Sequence, residues 1–262
     1  MTYPKHKLSL RTGLAIILAI SPTLVVLPSA EAANDLSASE IFKRAQDKYA
    51  SLTSYSDNGS SIAEVGGMKL KTTFSIKLAQ PGLYLVKWEQ LVHPGYTNIG
   101  AVWSAGNGDF LKMGSTLQKL ASKETALASA TGVSGSAAAT IPGTFFRMNW
   151  GNQLTGSELS SSKQSNEKVG EVDCYVFTRE SKGQTQTLYI GQQDFLIHQV
   201  RTVTSDEAMK AVLNEAAKRH PEMTAPPGTA GPHGIISTET HENIVVNQKF
   251  SSKDFLAEAA EK

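Results

Sequence analysis

The stretch 68–78 alternates without a fault: Met68, Leu70, Thr72, Phe74, Ile76 and Leu78 fall on one side, Lys69, Lys71, Thr73, Ser75 and Lys77 on the other. A period of two belongs to a half-buried β-strand, because a helix turning about 100° per residue would mix the two sets. A strand with one apolar face must be paired at its edges and covered on that face, so this segment commits the chain to a sheet with a core on one side. Gln80-Pro81-Gly82 is a turn signal, and the strand that resumes at 83–90 pairs back as a hairpin. Similar patterns predict strands at 98–103, 109–113, 154–159, 168–179, 184–190, 195–204 and 235–247. The Ser-Ala-Gly-Asn-Gly-Asp run after Trp103 offers the residues a tight hairpin needs at positive φ.

Three helices interrupt this meander. Ser37 with Glu40 makes a capping box, and Ile41, Phe42, Ala45, Tyr49 and Leu52 recur at helical spacing, which predicts a helix over 38–53. A second is expected over 115–130, with Leu117, Leu120, Ala121, Leu127 and Ala128 on one face and small residues from Gly132 to Ala139 closing it. A third is expected over 205–219, stopped by Pro221 and followed by a Pro/Gly loop over 226–234.

The first residues read as an address. Lys5, Lys7 and Arg11 precede an apolar run over 14–27, and Ala30-Glu31-Ala32 fits a signal-peptidase site, so residues 1–32 are read as a secretory leader and 33–262 as a single domain. The run is shorter than the roughly 20 residues that span a bilayer, and Pro22 interrupts it. Loss of the leader moves the formal charge from +1 to −1. Neither value suggests nucleic acid as a partner, since that interaction needs concentrated basic charge. The expected location is the periplasm.

No catalytic or metal motif is complete. A single Cys rules out an internal disulfide or a Cys-based zinc cage, and Cys174 shares a strand face with Val172 and Val176, the setting of a small core residue. His93, His198, His220, His233 and His241 lack ligand spacing; His198 reads as a solvated strand residue, and His241-Glu242 is not followed by the second His of a zinc-protease motif. Gly132-Val133-Ser134-Gly135-Ser136 lacks the spacing of a nucleophile elbow, and Gly106-Asn107-Gly108 is a hairpin tip rather than a phosphate loop. No cofactor and no catalytic residue is therefore expected, and a hydrolase is the weakest of the functional readings.

A meander of about ten strands with few helices must pair as a sandwich, close, or stay partly open. A mainly β, α+β fold, its antiparallel sheet curled into an open half-barrel with helices across the concave face, leaves room for an acyl chain, each buried methylene of which contributes about 0.8 kcal/mol. A concave face filled by its own side chains is the alternative.

Several segments bear a family likeness. Ile41 to Ala50 running into Leu52-Thr53-Ser54-Tyr55, the pair Phe74 to Leu78 and Gln80 to Tyr84, the hairpin Leu188 to Gly191 with Phe195-Leu196-Ile197, and the tail Glu242 to Phe250 together resemble the LolA/LolB-type lipoprotein carrier superfamily. Gly191 stands where that family commonly has Asp, and the tract from Lys210 to Gly234 is longer than a minimal carrier needs. The resemblance implies a periplasmic, non-catalytic carrier, expected as a monomer, for acyl chains of lipids or lipoproteins. The expected lining is Leu70, Phe74, Ile76, Leu78, Val86, Trp88 and Phe110, with a helical lid around Leu117, Leu120 and Leu127. A second reading makes the same half-barrel an interaction or sensor module for an envelope membrane-protein partner.

Overall fold

A computed structural model describes residues 36–93, 95–156, 160–219 and 233–257. Helix α1 (Ala38–Ser51) begins at Ser37, whose hydroxyl accepts from the Glu40 N–H while the Glu40 carboxylate accepts from the Ser37 N–H at 2.9 Å. Its buried stripe is Ile41, Phe42, Ala45 and Tyr49. The strands follow as β1 (Ser54–Val65), β2 (Met68–Ala79), β3 (Leu83–His93), β4 (Tyr96–Ser104), β5 (Asp109–Met113) and β6 (Thr116–Leu120). Helices α2 (Lys123–Ala130) and α3 (Thr140–Phe145) come next. The second set of strands is β7 (Ser161–Lys163), β8 (Glu167–Val169), β9 (Val172–Ser181), β10 (Gln184–Gly191) and β11 (Ile197–Thr204); helix α4 (Asp206–Arg219) separates these from β12 (Ile235–Val246). The Pro/Gly loop expected over 226–234 lies almost wholly outside the described residues.

All twelve strands form one antiparallel sheet in the order β6-β5-β4-β3-β2-β1-β12-β11-β10-β9-β7, with β8 also on β9. The sheet does not close, and helices α1, α2 and α3 pack on one face of it, so the architecture is the open half-barrel expected from the sequence. The last strand pairs with the first, β12 on β1, so the two ends of the chain meet in mid-sheet. Among the described residues no helix is long and apolar enough to cross a membrane.

Three expectations are corrected. Residues 115–130 are not one helix: Gly114, at φ +55°, and Ser115 turn the chain into β6, which pairs with β5, and a helix starts only after Ser122, whose hydroxyl accepts from the Thr125 N–H. The strand expected from Leu154 does not form over its described part, because the Asn152 side chain accepts from the Leu154 N–H at 3.0 Å and fixes a turn there. The long strand over 168–179 is two, folded at Gly170-Glu171 so that Val169 faces Val172. Strand β1 and helix α3 carry no clear periodic signal. Ser, Asp, Asn and Gly are poor strand formers, and β1 is held instead by ladders to β2 and β12 on its two sides.

A 3-10 turn (Ser252–Phe255) folds the tail onto the convex face, where Phe255 is fully buried with Leu85, Ala101 and Trp103.

Candidate functional site

The concave face is built in rows that run across the strands. Asp57, Ile76, Val86, Val102 and Leu111 are in register on β1 to β5. The next row is His241, Gly59, Phe74, Trp88, Gly100 and Met113. Its glycines are steric necessities: a Cβ at Gly59 would collide with the Phe74 ring and the Thr240 carbonyl, and one at Gly100 with the Trp88 indole. The large rings thus lean over the bare backbone of their neighbours. Beyond lies a polar row of Glu239, Ser61, Thr72, Gln90 and Asn98, in which the Gln90 amide donates to the Thr72 hydroxyl.

This face is covered. Helix α1 packs Phe42 against Phe177 of β9, ring centroids 4.7 Å apart, and its Tyr49 hydroxyl accepts from the Ile197 N–H of β11. The other half lies under α2 and a cap over 131–150, in which Ser134, Ala137, Ala138, Ile141 and Phe145 are essentially without exposure. The cap is rich in small residues, so its backbone rides close to the sheet; Gly135 lies against Ser61 and Thr72.

Between cap and sheet sits a buried polar cluster. The His241 imidazole is in hydrogen-bond contact through Nδ1 with Asp57 Oδ2 at 2.7 Å, and its Nε2 is 3.3 Å from Glu239 Oε1. The Tyr55 hydroxyl donates to Asp57, and the Thr140 hydroxyl of the cap donates to Glu239 Oε2 at 2.7 Å. Burial works against a charge on His241, but Asp57 and Glu239 outweigh it and lift its pKa to about 10, so the ring is an imidazolium at neutral pH. These contacts point the three ionisable groups at one another, and no group of His, Cys, Asp or Glu among the described residues is arranged to hold a metal ion. The cluster fixes the cap over mid-sheet. Periodicity contains a signal for it, because Glu239 and His241 are two apart on a strand and share a face, whereas Glu242, next to His241, points to the other side.

The expected lining residues separate. Phe74, Ile76, Leu78, Val86 and Trp88 lie together in the buried concave cluster, and Leu70 is half-buried one row further out. Phe110 is on the opposite face, stacked on Trp103 at 5.5 Å, because Leu111 takes the inward position on β5. Of the expected lid, Leu127 alone is on a helix and buried in the cluster. Leu120 is on β6 and packs against that cluster, while Leu117 points out from the convex face, 59% exposed. A cavity of about 490 Å³ opens between α1 and the cap, bordered by Gln46, Tyr49, Thr144, Arg147, Met148 and Leu154 among others, and by none of the expected lining residues.

One other reading changes and one holds. His198 is buried rather than solvated, with Nε2 2.9 Å from Asp194 Oδ2, and the Asp194 carboxylate fills the space a side chain at Gly191 would need. Cys174 packs with Val176 and Tyr189, and burial pushes its thiol up to about 12, far from thiolate chemistry at neutral pH.

The fold and site define an open β half-barrel whose apolar concave face is closed by helices and a small-residue cap. No protein-family model and no curated protein matches the sequence. Solved structures similar to it include a LolA superfamily protein from Nitrosomonas europaea, 11% identical, covering 85% of this chain and 98% of its own, with a TM-score of 0.34. A DUF1329 family protein from Desulfovibrio piger is 12% identical over 84% of this chain and 97% of its own, TM-score 0.34. LprF from Mycobacterium bovis is 7% identical over 82% and 94%, TM-score 0.41.

Proposed function

We propose that the protein is an exported, non-catalytic carrier that takes an acyl chain of a lipid or lipoprotein between sheet and cap, in the periplasm, and that the form described is the closed one. The observation that supports this reading is the cover itself. The apolar rows of β2 to β5 lie beneath α2 and the cap, whose stretch from Ser134 to Thr140 is built of small residues and reaches the β1/β12 seam through the hydrogen bond from Thr140 to Glu239. A lipid tail that inserts beneath the cap would replace the cap's contacts with the apolar rows, and about 25 cal/mol per Å² of contact with the tail offsets the area that lifting the cap exposes. Leu127 and Leu120 border the trough and Phe74, Ile76, Val86 and Trp88 form its floor.

The test is lipid extraction and mass spectrometry on protein secreted with its own leader and purified without detergent, alongside uptake of a fluorescent fatty acid. Stoichiometric lipid, or uptake that rises in Thr140→Val, supports the carrier. A folded protein that neither holds nor takes up lipid in either form overturns it. One observation favours the second reading, a partner-binding module of the same fold: Ile76, Leu78, Val86 and Val102 are already fully buried against the chain's own side chains. That module takes up no lipid and yields an envelope membrane protein on crosslinking.

A further inference from the structure

Among the described residues, the tail turn is what covers the convex face of strands β2 to β6, and the face beyond it is open. By register, the residues pointing outward are Lys69, Lys71, Lys77, Lys87, Lys112 and Lys119, with Glu89 the single acidic residue among them. Lys69 pairs with Glu64 of β1, and Lys77 lies over the Phe250 ring at 6.0 Å. Among the described residues Lys71, Lys87, Lys112 and Lys119 form no ion pair.

Between these lysines stand large apolar side chains in water. Leu91 is 51% exposed, Ile99 60% and Leu117 59%. Register makes them neighbours: Leu91 is opposite Lys71, Ile99 is opposite Glu89 and two residues from Ala101, and Ala101 is opposite Lys112, itself opposite Leu117. At about 4.8 Å between strands, the patch runs roughly 20 Å across the sheet. The outward side of β9 to β12 is different in kind, with Thr185, Thr187, Gln199, Thr238 and Thr240 and charges of both signs in Arg201, Glu180 and Glu242.

We propose that this face docks the protein onto a bilayer that bears anionic phospholipid. Single apolar tips interleaved with long lysine stems match an interface in which the tips enter the acyl boundary and the ammonium groups stay at the level of the phosphates. The cations are all lysines. A diffuse layer of lipid phosphate is recognised by mobile point charges, whereas a fixed carboxylate on a protein partner selects the planar fork of Arg. The apolar residues of the patch stand on three different strands, Leu91 on β3, Ile99 on β4 and Leu117 on β6, rather than side by side on one. The inference is independent of what the concave face holds.

The experiment is co-sedimentation of the secreted protein with vesicles of about one part phosphatidylglycerol to two parts phosphatidylcholine, against vesicles of phosphatidylcholine alone. Binding is expected only to the anionic vesicles and is expected to weaken steeply as salt shortens the screening length. Each lysine near the surface is worth about five-fold in affinity, so Lys71→Glu with Lys112→Glu lowers binding about 25-fold or more. Leu91→Ser with Ile99→Ser lowers it at both salt concentrations, and Thr187→Glu on the other half of the convex face leaves it unchanged. No affinity for the anionic vesicles overturns the proposal, as does affinity that the β2 to β6 variants do not alter, or capture of an acidic protein by a face without vesicle affinity. Lipid content and fatty-acid uptake, read on the same variants, stay at the wild-type level if the two faces act separately.

Discussion

The two faces of strands β2 to β6 are made from alternate residues of the same five segments, yet they live in different solvents. On the concave side Phe74, Ile76, Val86, Trp88 and Val102 are within 5% of complete burial, and the Gln90 amide donates to the Thr72 hydroxyl beside them. On the convex side the same strands present lysines, with Leu91, Ile99 and Leu117 half in water. The difference teaches that alternation assigns residues to two faces and that the cover decides what each face is for. Where α1, α2 and the cap lie over the sheet, an apolar row becomes core; where, among the described residues, the short tail turn is the sole cover, large apolar side chains stay in water.

Substitutions should therefore separate the two faces by energy. The largest effect is expected from Asp57→Ala, which leaves a buried imidazolium facing Glu239 alone; loss of one partner of a buried pair costs about 3–5 kcal/mol, read as a fall in denaturation midpoint. The same cluster predicts a pH dependence. The pKa of His241 is raised to about 10 in the folded chain, so its stabilising contribution is complete below about 6.5, the value in the unfolded chain, and is lost as pH rises through about 10. A thermal midpoint that falls across that window in the wild type, and falls less in His241→Gln, checks it; equal slopes would remove the imidazolium from the account. Gly59→Val should come next, at about 1–3 kcal/mol, since the added side chain meets both a ring and a backbone carbonyl. Smallest of all, Ile99→Ser and Leu117→Ser on the convex face should shift stability by no more than about 0.5 kcal/mol. A large loss there would mean that the face is covered in the folded protein.

Much of the fold was legible because it is periodic. The strict alternation of β2 gave its inward set correctly, and Ser37 with Glu40 announced α1 within two residues of its observed end. Shorter elements misled where two periods fit the same residues. Leu117 and Leu120 are three apart, which suits a helix face, but on β6 they point to opposite sides, and nothing short of the Gly114-Ser115 turn distinguishes the cases. Phe110 and Leu111 are adjacent and both apolar, so in a five-residue strand the sequence does not say which one faces in; pairing with Trp103 on one side and Val102 on the other decides it. The polar cluster was hidden for a different reason. Asp57 lies in a strand of low strand propensity, 184 residues from His241 along the chain, and only the meeting of β1 with β12 brings them together.

By itself, then, the sequence determined the local matters: a β-rich chain, the inward set of β2 and the capped first helix, all of which follow from the spacing of apolar, charged and turn-forming residues within a few positions of one another. The joining of the sheet's two halves through β1 and β12, the placing of Thr140 over Glu239, and the sorting of Phe110 and Leu117 onto a lysine-rich outer face were decided only in three dimensions. Each depends on which distant strand supplies the neighbour, and a neighbour across a sheet is fixed by packing and register rather than by any residue's own preference.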